Sequence, residues 1–97
     1  MKKISQQVNT AFEEIGIHIK TWRRVYRMKA SQVAERAGIS LRTLQKIESG
    51  DSSISTAAFL EVTRSLGLLE SLVDNIDPLN TDLGRARVTD SLPKRIR

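Results

Sequence analysis

Only three residues, Gly38, Ile39 and Ser40, separate two short helical patterns, Ala30 to Ala37 and Leu41 to Glu48, and that tight break constrains the chain more than any other feature. Gly38 is able to take positive φ, so it can end the first helix and turn the chain sharply. Ser40 then offers a side-chain oxygen to the open N–H groups of the helix that follows. The surrounding residues fit two helices in contact. Ala34 is small where they approach, Ile39 plugs the core after the turn, and Leu44 with Ile47 hold the second helix against the first. Leu41, Arg42, Gln45 and Lys46 are left facing outward, and Ser49, Gly50 and Asp51 stop the helix.

The rest of the chain also reads as helix. Thr10 and Glu13 make a capping box that predicts a first helix from Thr10 to about Arg27. Phe12, Ile15, Ile19, Trp22 and Tyr26 recur at three- and four-residue spacing along it, which places them on one face and Trp22 in the core. An aromatic content of 4% is too small to make Trp22 part of a base-stacking platform. Ser55 caps a fourth helix carrying Phe59, Leu60, Val62 and Leu66, which Gly67 terminates. A fifth covers about Glu70 to Ile76, with Leu69, Leu72, Val73 and Ile76 on its apolar side, until Asp77 and Pro78 break the pattern. Beyond Pro78 little regular structure is expected, with a short strand around Arg87 to Leu92 left open. The expectation is an all-α chain without internal repeats: a flexible N-terminal arm at 1–9, one helical domain at 10–77, and a C-terminal tail at 78–97.

Ninety-seven residues, 39% of them hydrophobic, suffice for one modest core and no second domain. The absence of Cys removes disulfides, thiolate metal sites and thiol nucleophiles, and suits a reducing cytosol. No stretch approaches the ~20 apolar residues that cross a bilayer, and Met1 to Asn9 is too polar for a signal peptide. His18 is the only histidine, on the polar side of the first helix and with no companion for catalysis or metal binding, so neither an enzyme nor a cofactor is expected. The net charge of +5 points toward a polyanion, and its layout says more than its sum. Lys20, Arg23, Arg24, Arg27, Lys29, Arg36, Arg42 and Lys46 face only Glu35 and Glu48. Acid then dominates from Asp51 to Asp82 with Arg64 alone against it, and the tail turns basic at Arg85, Arg87, Lys94, Arg95 and Arg97.

Two short helices joined by a Gly-containing turn can lay the second into the ~12 Å wide major groove of duplex DNA. Arg42 can bond guanine N7 and O6 bidentately, Gln45 and Lys46 offer single or amide-type contacts to base edges, and Leu41 can meet a thymine methyl. Ser40, Thr43 and Ser49 are short hydroxyl residues suited to phosphate oxygens, with capping as their alternative use.

The stretch QVAERAGISLRTLQKIESG, residues 32–50, resembles the helix-turn-helix of the lambda-repressor/Cro (XRE) family. The likeness runs from about Ile15 to Ile76 and takes in Gly16, Arg23, Glu48 and the SLG at Ser65 to Gly67. It implies a five-helix lambda-repressor-like bundle, usually a dimer, acting in the cytoplasm at the nucleoid. It also implies that Arg23 pairs with Glu48 to orient the recognition helix, against the alternative of an incidental surface pair. The chain departs from the family at Lys29 and Ala30, where a Thr or Asn cap followed by Gln is common. Ser31 is the substitute cap, and Lys29 can reach phosphate by charge instead.

One recognition helix reads few base pairs, which implies a homodimer on an inverted-repeat operator with half-sites about 34 Å apart. Leu68, Leu69, Leu72 and Val73 either supply its contact or complete the monomer core. The tail, with Leu83 and Leu92 among Arg and Lys and closing on LPKRIR, is similar to the C-terminal extension of HipB-type antitoxins, which repress their own operon and bind a HipA-like kinase toxin. A tail that merely adds phosphate affinity is the alternative. Two rivals stand beside the antitoxin: a stand-alone phage or plasmid-type repressor, and a protein-interaction module neutralising a partner. The outward Arg42 and Lys46 argue against the second.

Overall fold

A computed structural model describes residues 3–91, and among them the chain is all-helical, with six α-helices and no strand. The punctuation residues set the boundaries. Gly38 takes φ 70° and ends α2 (Ala30–Ala37), and Ser40 accepts the Thr43 N–H at 3.0 Å to start α3 (Leu41–Glu48). Ser55 accepts from Ala58 at 3.1 Å to start α4 (Thr56–Ser65), and Gly67, at φ 75°, turns the chain into α5 (Leu69–Ile76).

The first helix is longer than expected. α1 (Gln6–Val25) begins four residues before Thr10, because Ser5 accepts the Val8 N–H at 3.2 Å and takes the capping role. Thr10 lies inside the helix and receives a hydrogen bond from Gln6. Both sites carry a capping hydroxyl, and only the earlier one lets the helix gain another turn.

The core is built from α1 to α4 and the residue that ends α4. Val33, Leu44 and Val62 are fully enclosed, and Ile19, Ala34, Ala37, Ile47 and Leu66 are buried with them. Burial stabilises each large aliphatic side chain by roughly 1.5–3 kcal/mol relative to exposure. Ile39 packs against this cluster together with Met28, Ile54, Phe59 and Leu68. The apolar stripe of α1 is only partly covered: Trp22, expected in the core, is 41% exposed and stacks on Tyr26 at 5.7 Å between ring centroids. Five helical turns present more apolar width than the short helices beside them can cover. On α5 no residue is fully buried: Leu68, just before it, and Leu69 and Leu72 are half-covered, while Val73 stays exposed.

After Asp77 the chain does not lapse into irregular structure. A 3-10 turn (Pro78–Asn80) leads into α6 (Asp82–Ser91), so the expected tail is helical over most of its described length, and the strand considered at Arg87 to Leu92 is helix as far as Ser91. Leu92, Lys94, Arg95 and Arg97 lie outside the described residues. Pro78 does break α5, but Pro at the first position of a new turn costs no N–H that would have been bonded. α6 packs mainly against this 3-10 turn. Among the described residues a sixth helix thus follows the five expected.

Candidate nucleic-acid interface

The outer face of α3 follows from the seating of its inner face. Leu44 and Ile47 point into the core, so Arg42 and Gln45 stand in solvent, Leu41 is 42% exposed, and Lys46 is half-exposed. Arg42, Gln45, Lys46 and Ser49 together line a shallow depression of about 200 Å³. Among the described residues the side chains of Arg42 and Gln45 make no hydrogen bond or ion pair, and their donors are uncommitted. Lys46 has a charged neighbour in Asp51. Hydrogen bonds from the Ser53 hydroxyl and N–H, with a smaller pull from Lys46, hold the Asp51 carboxyl below the usual range.

The three hydroxyls of the α3 region are occupied unequally. Ser40 accepts the Thr43 N–H and donates its own hydrogen to Thr43 Oγ1 at 2.9 Å, and Ser49 donates to the Lys46 carbonyl at 2.9 Å. Phosphate oxygens need donors. Thr43 is therefore the one of the three whose hydroxyl hydrogen is uncommitted, while Ser40 and Ser49 are acting as caps.

Two features fix the tilt of α3. Arg23 on α1 forks onto Glu48, Nε to Oε2 at 2.7 Å and Nη2 to Oε1 at 3.1 Å, while Nη1 donates to the Met28 carbonyl at 3.1 Å. The side chains are 12% and 9% exposed, so the pair belongs to the shielded class rather than the surface one. The Glu48 hydrogen bond raises the Arg23 pKa, against partial desolvation. The second feature is Gly16. A Cβ there would lie 2.6 Å from the Glu48 carbonyl oxygen and 2.7 Å from that of Ile47, so only glycine lets α1 approach the end of α3 so closely. The sequence offered a signal for it in an isolated glycine amid an otherwise unbroken helical pattern.

At the start of α2, Lys29 occupies the capping position, and its ammonium has no lone pair with which to accept an N–H. The cap is half made from the other side: Gln32 Oε1 accepts the Lys29 N–H at 2.7 Å. Ser31, the expected substitute, lies inside the first turn. The Lys29 side chain is exposed. Just before it, Arg27 adopts φ 57°, a left-handed conformation that ordinarily favours Gly or Asn, and sequence reasoning gave no hint of it because no turn residue marks the spot.

Among the described residues there is no cluster of His, Cys, Asp or Glu able to hold a metal ion, and no helix is long and apolar enough to cross a membrane. The family model described as Helix-turn-helix domain matches residues 14–76, from the third turn of α1 to the end of α5. No curated protein and no solved structure matches the chain.

Proposed function

The chain belongs to the helix-turn-helix domain family, and from that premise we propose that it is a sequence-specific regulator of transcription that reads duplex DNA with α3. The observation carrying this reading is the pair of uncommitted side chains, Arg42 and Gln45, on a helix whose opposite face is locked into the core. Arg42 reads a guanine, Gln45 and Lys46 take neighbouring base edges, and Leu41 meets a methyl group. Lys29 and Thr43 hold phosphates and set register without reading sequence, with Ser40 and Ser49 as weaker candidates beside them. The Arg23–Glu48 pair keeps α3 at the reading angle. The DNA-binding unit runs through Asp77, and the working form is a homodimer on an inverted repeat, in the manner of the lambda-repressor/Cro family.

Binding to a panel of operator variants tests the reading. Arg42→Ala is expected to cost about 1–3 kcal/mol and to relax preference at one base pair, while Lys29→Ala weakens all sequences alike and lowers the salt slope by about one. Equal losses on every sequence for both variants would remove direct readout by Arg42.

A second reading, the antitoxin of a HipBA-like operon, draws on α6, which packs mainly against the 3-10 turn and leaves Leu83 62% exposed. Co-expression with the product of the adjoining gene decides it. Retention of a kinase-like protein through purification supports the antitoxin, and its absence leaves a stand-alone repressor.

A further inference from the structure

Beside α3 the packing leaves a hollow. Phe12 and Ile15 of α1, Ile47 of α3, and Ile54 and Phe59 line a space of about 280 Å³ between α1, the loop after α3 and the start of α4. Protein interiors hold few voids wider than a water molecule, because an empty space deprives its lining of contacts. A packed frame keeps this one open. Ile47 is 5% exposed, and Ile54 and Phe59 pack against the core. The loop is pressed onto α1 as well: a Cβ on Gly50 would lie only 2.8 Å from the Glu13 Cα, so the wall that carries Asp51 is seated directly on the helix backbone.

The polar groups that line the hollow are Asp51 and Thr56. Asp51 accepts the Ser53 N–H at 2.8 Å and the Ser53 hydroxyl at 2.6 Å, both on Oδ1. Its Oδ2 has no hydrogen bond among the described residues, and Lys46 acts on the carboxylate from beyond ion-pair distance. The Ser53 bonds hold Asp51 below the usual carboxylate range, so it is ionised at neutral pH. The Thr56 hydroxyl has no partner among the described residues either. An apolar hollow with a few convergent polar groups is the ordinary form of a small-molecule site. A free carboxylate oxygen calls for a donor, and its charge favours a cationic one. Volume sets the size of the rest. An apolar cavity of about 150 Å³ takes a benzene, so nearly twice that volume fits a bicyclic ring or a ring with a short chain.

We propose that this hollow binds a small aromatic ammonium compound of roughly 10–13 non-hydrogen atoms, its ring among Phe12, Ile47 and Phe59 and its ammonium on Asp51 Oδ2. Occupation also bears on DNA. Asp51 is the charged neighbour of Lys46, a candidate base reader, and its N–H bonds the Lys46 carbonyl at 2.9 Å. An ammonium on Asp51 neutralises a carboxylate at the end of α3 and frees Lys46 from its pull, so the filled chain binds DNA more tightly. By linkage, DNA tightens the ligand by the same factor. This second effect rests on the reading of α3 given above, and the binding site itself does not.

Titration of the full-length chain with tryptamine, followed through its amide NMR signals, tests the site. Tryptamine is expected to shift the amides of Ile47, Asp51, Ile54 and Phe59 with a Kd of about 0.1–1 mM. Indole-3-propionate, the same ring with an anionic end, should bind at least about fivefold more weakly. Asp51→Asn, whose amide oxygen can still accept from Ser53, should weaken tryptamine about threefold. Ile54→Phe fills the hollow and should abolish binding, and Thr56→Phe, which fills it from the rim, serves if that variant fails to fold by circular dichroism. No localised shifts up to about 10 mM tryptamine, equal binding of the anion, or full affinity in either variant would overturn the site. So would amides of the hollow that shift with protein concentration alone, since a second copy would then be the occupant. Gel-shift titration on the operator panel reads the second effect. The wild type is expected to bind DNA about twofold more tightly with saturating tryptamine, and Asp51→Asn to do so without it. The filled variant should show no change, which also controls for tryptamine acting on the DNA. An occupied hollow with unchanged DNA affinity would overturn the coupling, and a chain that takes tryptamine but ignores DNA would sink the regulator reading and leave the site.

Discussion

Arg23 and Glu48 show how burial decides the worth of a contact. An exposed ion pair contributes about 0–1 kcal/mol, because water screens it and two long side chains lose freedom to form it. These two are about one-tenth exposed, meet through two parallel hydrogen bonds, and involve a backbone carbonyl as well. Removing one partner strands the other, which in this regime costs about 3–5 kcal/mol when burial is complete. Glu48→Ala is therefore expected to lower unfolding stability by about 2–4 kcal/mol in urea titration, with the Arg23→Ala, Glu48→Ala double variant less damaging than the sum of the two. Additive losses would return the pair to the surface class. The pairing was readable from the sequence only by likeness to a family, since the 24 residues between them carry no local sign of it. Arg27 was not readable at all: the left-handed turn is imposed by the Arg23 to Met28 geometry, where the Met28 N–H bonds the Arg23 carbonyl, and no glycine announces it.

At the scale of elements, the legible boundaries were those with a dedicated residue. Gly38, Ser40, Ser55 and Gly67 each act by local backbone chemistry, so α2 to α5 could be placed within a residue or so. The start of α1 was misplaced because Ser5 and Thr10 both qualify as caps and the sequence does not rank them. α6 was missed for a different reason: Asp82–Ser91 lacks an apolar stripe, and what holds it is the close approach of Gly84 to Pro78 with hydrogen bonds from Gly84 to Thr81 and from Arg85 to Leu79, rather than a buried face. Trp22 was misplaced because periodicity reports which residues share a face, not whether a neighbour covers it. α2 carries a conflict between these levels. Lys29 sits where Ser or Thr would cap, which leaves an N–H of the first turn without a side-chain acceptor. Lys29→Ser is expected to raise stability by about 0.5–1 kcal/mol in thermal or urea unfolding. It should also weaken DNA binding in a way that shrinks with added salt, because the lost group is a phosphate-seeking cation. A variant both more stable and equally tight on DNA would show that Lys29 has no part in binding.

For the molecule as a whole, the length of α3 sets the limit. Eight residues at 1.5 Å each make a rod of about 12 Å, which can address only three or four base pairs at 3.4 Å spacing. On the proposed function the basic residues from Lys20 to Arg36 add affinity but no sequence information, and the acidic stretch after Asp51 disfavours DNA on that side of the bundle. On the same reading, selectivity comes from two copies held at a fixed distance. That distance must match one helical turn, so that both α3 helices meet the same face of the duplex. If a fixed contact joins the two copies, binding to two half-sites should depend on their phase. Adding about 5 base pairs between half-sites is expected to turn the second one to the far side and reduce affinity to that of a single half-site. Adding about 10 restores the face but stretches the span by 34 Å, and a rigid joint should not recover cooperativity there. A flexible joint would regain much of it, through the effective concentration of a tethered partner. Gel-shift titration on the three spacings therefore reports the stiffness of the joint directly, and equal cooperativity on all three would mean that the two copies are not held by a fixed contact.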